Sequence, residues 1–67
     1  MDPAEIWQLI VKADEAVKYA TEERGAVRRQ QAAELLRTAL REAEAAANEA
    51  LAAQARVRLA DLGDVTP

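Results

Sequence analysis

Residues 43–52 read AEAAANEALA, and this stretch decides how many helices the chain forms. No glycine or proline occurs from residue 26 to residue 62, and the residues that dominate this segment all favour helix. Asn48 is the best candidate for an interruption, because asparagine is a good helix N-cap. We therefore predict a break just before Asn48, with helices over residues 26–47 and 49–62, and Gly63 as the residue that stops the last helix.

A two-helix hairpin is the alternative, in which the whole segment forms one long second helix. At about 1.5 Å per residue, such a helix would extend roughly 20 Å beyond the first one. Its last large apolar side chains would then be uncovered, and these are Leu51, Val57, Leu59 and Leu62. In the three-helix arrangement, the third helix instead folds back along the first, beside Ile6, Leu9 and Ile10. Both arrangements are all-α.

The first helix has a clear start signal. Asp2 can cap it, Pro3 suits the first helical position, and Glu5 falls where a capping box needs an acidic side chain. Gly25 can close a helix cheaply in the left-handed conformation, so we predict the first helix over residues 3–24. Its inward stripe repeats at helical spacing and consists of Ile6, Leu9, Ile10, Ala13, Val17 and Ala20.

Composition restricts the possible functions. The chain has 67 residues, enough for a single small domain with residues 64–67 as a tail, and it contains no Cys, His or Ser. We therefore predict no enzyme activity, no catalytic residue, no metal, no cofactor and no small-molecule substrate. The net charge of −3 opposes binding to nucleic acid or to anionic membranes. With no long apolar run, the expected location is the cytoplasm.

Arginines are more frequent than lysines, which is typical of proteins from high-GC bacteria. Five of them could form a phosphate-binding patch: Arg24, Arg28, Arg29, Arg37 and Arg41. Glutamates surround this group in the sequence and no aromatic residue is interleaved to stack on a base. We interpret the group as a solvated charged face.

Residues 32–40, AAELLRTAL, resemble the second helix of a tetratricopeptide repeat, with an alanine, a large residue four positions later and then Ala-Leu. The sequence from Leu59 to Asp64 similarly resembles the end of the first helix of a following repeat. Residues 12–23 are similar to the opening helix of microtubule-interacting-and-trafficking domains. Both resemblances imply an all-helical adaptor that binds peptides or helices.

Trp7 and its neighbours are the candidate contact site. Together with Leu9, the side chains of Ile6, Trp7, Ile10 and Val11 spread around more of the helix than one neighbouring helix can cover. Tryptophan is also enriched among the residues that dominate binding energy. We predict a protein–protein interaction module whose partner is another protein or a second copy, with these four residues at the interface.

Two other interpretations remain open. Trp7 could be an ordinary core residue, in which case the interface would lie elsewhere. The chain could also be a structural subunit, a two-helix hairpin that forms a four-helix bundle within a larger assembly.

Overall fold

The computed structural model describes residues 1–21 and 23–63. Over these residues the protein is all-α, with three helices in the order α1 (Pro3–Lys18), α2 (Gly25–Ala45) and α3 (Glu49–Asp61). The predicted fold class and the three-helix arrangement are confirmed. The tail predicted for residues 64–67 lies outside the described residues.

Successive helices run antiparallel, with α2 packed against both of the others. The N-terminal amine of Met1, just before α1, lies 3.8 Å from Oε1 of Glu42 in the last turns of α2. On the other side, Arg56 of α3 donates a 2.9 Å hydrogen bond to Glu44. Helices α1 and α3 touch each other less than either touches α2. The packing of the three helices therefore depends mainly on α2.

The predicted break before Asn48 is confirmed. Helix α2 ends at Ala45, and Ala47 adopts a left-handed backbone with φ of 55°. The Asn48 side chain then accepts a 3.2 Å hydrogen bond from the Leu51 N–H, which caps α3. The alternative of one long second helix is wrong, because the left-handed residue turns the chain back on itself.

The start of α1 also follows the prediction. Asp2 Oδ1 accepts a 3.0 Å hydrogen bond from the Glu5 N–H, and Glu5 Oε1 accepts a 3.3 Å bond from the Asp2 N–H. This reciprocal pair is a capping box, with Pro3 following the cap as expected.

The predicted end of α1 is wrong. The helix stops at Lys18 instead of Arg24, and Gly25 is the first residue of α2, not a left-handed stop. Thr21 explains part of the difference, because its hydroxyl oxygen accepts a 3.2 Å hydrogen bond from the Arg24 N–H. Such side-chain bonds to the backbone compete with helix continuation. The predicted glycine stop does occur at the end of α3, where Gly63 has φ of 74°.

The core is made mostly of alanine. Among the described residues, the buried apolar side chains are Ile6, Ile10, Ala13, Ala32, Ala33, Leu36, Ala39, Ala43, Ala52, Ala55 and Leu59. Those larger than alanine are Ile6, Ile10, Leu36 and Leu59. Alanine lets helices approach closely but removes little apolar area from water, and the hydrophobic effect is proportional to that area. The core is therefore small.

Helix α3 folds back beside α1, as predicted, but its end reaches further along α1 than the predicted position beside Ile6, Leu9 and Ile10. Leu59 is buried in the same cluster as Ile6 and Ile10. Leu62 lies further along, where it lines a cleft together with Ala13 and Val17. The C-terminal ends of α1 and α3 are thus neighbours.

Candidate protein-interaction site

The four predicted interface residues divide between the core and the surface. Ile6 and Ile10 are fully buried within the chain, so the expectation that they contact a partner is corrected. Trp7 keeps 41% of its surface exposed, and Val11 is half-buried. The two isoleucines lie four residues apart on one helix face, and the structure turns that face inward. Trp7 and Val11, spaced in the same way, lie beside it.

Arg58 of α3 covers part of the Trp7 ring. Its guanidinium carbon lies 5.7 Å from the ring centroid, which is within the range of a cation–π interaction. Trp7 is therefore neither a core residue nor a bare surface residue. It is a half-exposed aromatic side chain at the contact between α1 and α3.

Hydrogen bonds to both helices fix the Arg58 side chain. Its Nε donates to both carboxylate oxygens of Asp14 on α1, at 2.9 and 3.1 Å. Its Nη1 donates to the backbone carbonyl and the side-chain oxygen of Gln54 on α3, at 3.1 and 2.7 Å. The position of the guanidinium is therefore fixed by contacts within the single chain.

A cleft of about 370 Å³ adjoins this arginine, between the C-terminal ends of α1 and α3. We call it the α1/α3 cleft, and it is lined by Ala13, Asp14, Val17, Lys18, Leu36, Arg58, Asp61 and Leu62. Half of these side chains are apolar and half are charged, with two acidic and two basic residues. Because Arg58 touches both Trp7 and the cleft, the two form one continuous surface.

Two more exposed apolar side chains lie at this end of α1. Val17, which the sequence placed in the inward stripe, is 40% exposed, and Tyr19 is 64% exposed. The Lys18 ammonium lies 5.5 Å from the centroid of the Tyr19 ring. No sequence pattern marks Tyr19 or Arg58 as part of this surface, because their positions depend on the register of α3 against α1.

Three further observations on the described residues concern metal binding, membrane insertion and the arginine cluster. Those residues contain no cluster of three or more potential metal ligands from His, Cys, Asp and Glu. None of their helices is long and apolar enough to cross a membrane. The five arginines of the predicted charged face are exposed.

Comparisons of this chain with protein-family models, with curated proteins and with solved structures give no match. The resemblances to tetratricopeptide repeats and to microtubule-interacting-and-trafficking domains therefore stay predictions. The function is inferred from the side chains and surfaces of the chain itself.

Proposed function

We propose that this protein is a non-enzymatic protein–protein interaction module that associates with itself through Trp7 of α1 and the adjoining α1/α3 cleft. The observation that carries this proposal is the imbalance between the core and the surface. The described core has four side chains larger than alanine, whereas Trp7, Val17 and Tyr19 remain exposed. Small scaffolds without disulfides or metals commonly gain the missing core from another subunit.

The proposed contact surface is defined by Trp7, Val11 and the α1/α3 cleft. Ile6 and Ile10 support it from the core without touching the partner. Trp7 suits the central role because a large, half-exposed aromatic side chain, held by Arg58, buries much area with few torsions to fix. We also propose that protein is the only class of partner and that the chain is located in the cytoplasm.

The four-helix bundle of two hairpins is not proposed as a second function. That assembly needs a long second helix whose apolar end a partner hairpin would cover. The left-handed residue Ala47 divides this segment, and Leu59 of α3 is buried within its own chain.

The test is sedimentation equilibrium of the chain over a hundredfold range of concentration, with Trp7→Ala as the variant. Loss of a central aromatic contact is expected to weaken association by about 2 kcal/mol, or roughly 30-fold. Helix content from circular dichroism should stay unchanged. Val57→Ala is the control, because Val57 is 59% exposed but does not line the cleft.

Two results would contradict the proposal. A wild-type chain that remains monomeric at every concentration would refute self-association. Parallel loss of helix and of association in Trp7→Ala would show that Trp7 stabilises the fold of the single chain, and the interface would lie elsewhere.

A further inference from the structure

We propose that the α1/α3 cleft is the docking site for a second copy of this chain in a two-fold symmetric dimer. In this dimer, Lys18 of each copy pairs with Asp61 of the other. The inference rests on the self-association proposed above and specifies the surface and the charge pairs that produce it.

The cleft is lined by charged side chains of both signs. Arg58 and Asp14 are already paired with each other, at 2.9 and 3.1 Å. Lys18 on α1 and Asp61 on α3 form no ion pair within residues 1–21 and 23–63. Among the described residues, the cleft therefore has one cation without an ion pair on its α1 side, where Lys18 lies over the Tyr19 ring, and one anion without an ion pair on its α3 side.

This arrangement is self-complementary. In a two-fold contact, the same patch of each subunit faces the other, so Lys18 can lie opposite Asp61 twice, once on each side of the axis. Complementary charges of this kind favour the correct partner and orient it. A small anion or cation would instead meet one attractive and one repulsive group, so the charges favour a second copy over a small charged ligand.

The apolar surface fits the same occupant. Val17 and Leu62 line the cleft, and the exposed Tyr19 follows Lys18 directly, so each copy can place its Tyr19 in the cleft of the other. A buried aromatic side chain covers about 150–250 Å². Because Tyr19 is 64% exposed, two tyrosines and the cleft walls that receive them supply roughly half of the about 1,000 Å² that a specific interface needs. The exposed part of Trp7, which adjoins Arg58, adds to this area.

The test uses two charge reversals and their mixture. Lys18→Asp places two like charges opposite each other at both contacts of the dimer, and Asp61→Lys does the same with the opposite sign. Each variant alone is expected to associate about tenfold more weakly than wild type. In an equimolar mixture, each contact between the two variants joins opposite charges again. The mixed dimer should therefore form with the wild-type affinity in sedimentation equilibrium.

Two further variants show whether a change in association comes from the charges of the cleft. Lys12→Asp is the control for charge, because it reverses an exposed lysine of α1 outside the cleft and should leave association unchanged. Lys18→Gln removes the cation without adding repulsion and should weaken association about threefold, which keeps the test valid if Lys18→Asp shortens α1. Circular dichroism confirms that each variant retains its helices.

The outcomes separate this inference from the proposed function. Weak association of each variant alone, with recovery in the mixture, would support the two-fold pairing. If Trp7→Ala weakens dimer formation but neither charge reversal does, the cleft is not the docking site, although the protein still self-associates. Failure of the mixture to recover would overturn the two-fold pairing, and a monomeric wild-type chain would overturn both proposals.

Discussion

Replacing Ala47 with glycine should stabilise the protein. Ala47 lies in the turn between α2 and α3 and is the non-glycine residue for which the described chain shows a positive φ, at 55°. The left-handed conformation brings Cβ of an L-residue close to the following carbonyl oxygen. Glycine has no Cβ, so Ala47→Gly removes this repulsion and keeps the same turn.

The magnitude is the difference between two opposing effects. Relief of the left-handed strain contributes about 1–2 kcal/mol. The greater flexibility of glycine in the unfolded chain costs about 0.5–1 kcal/mol. Ala47 is exposed, so loss of its methyl group removes little packing. The net stabilisation should be about 0.5–1 kcal/mol, which raises Tm by about 3–6 °C in a domain of this size.

The assay is thermal unfolding followed by circular dichroism at one fixed protein concentration. Ala46→Gly is the matched control, because Ala46 is also exposed but has φ of −87°, where alanine is unstrained. This control should lose about 0.5–1 kcal/mol. If Ala47→Gly melts no higher than wild type, or if the two variants behave alike, residue 47 is not left-handed. The chain would then make no left-handed turn at this position.

Three further changes test other parts of the structure by the same melting assay. Gly25→Ala should stabilise the protein by up to about 1 kcal/mol, because Gly25 is helical and alanine has the higher helix propensity. The new Cβ would lie 3.1 Å from the end of the Arg29 side chain, which can move aside. A marked loss of stability would indicate that Gly25 is left-handed. Asn48→Ala should cost about 1 kcal/mol through loss of the α3 cap, and an unchanged Tm would contradict that role. Ile10→Ala should cost about 2–5 kcal/mol because Ile10 is fully buried, and a loss below 1 kcal/mol would place it at the surface.

The features that the sequence predicts correctly are those that depend on neighbouring residues. Asn48 and Asp2 cap their helices with bonds to residues three positions later, and Gly63 closes α3 in the left-handed conformation. The wrong boundary of α1 has a similarly local origin. A glycine is compatible both with a helix stop and with a first helical residue, and at Gly25 the Thr21 hydroxyl bond to the Arg24 N–H contributes to the second outcome.

The candidate site was harder to predict because it depends on contacts between helices distant in sequence. The sequence shows that apolar residues spread widely around the start of α1, but not which of them faces α2. Ile6 and Ile10 turned out to face the core, whereas Trp7 is half-exposed. The role of Arg58 follows from the register of α3 against α1, and that register results from packing along the whole length of α2.

The weakness of the contact between α1 and α3 explains why a partner would be accommodated there. Where α2 meets its neighbours, fully buried alanines such as Ala39 and Ala43 allow close packing. Between α1 and α3, the ion pair of Asp14 and Arg58 is partly exposed, and such pairs contribute about 0–1 kcal/mol. Covering this pair in a dimer would remove it from water, which is costly for unsatisfied charges. Arg58 and Asp14 already share two hydrogen bonds, which lowers the cost of removing the two charges from water. In the proposed dimer, a second copy can therefore cover this surface and supply the apolar area that the small core lacks.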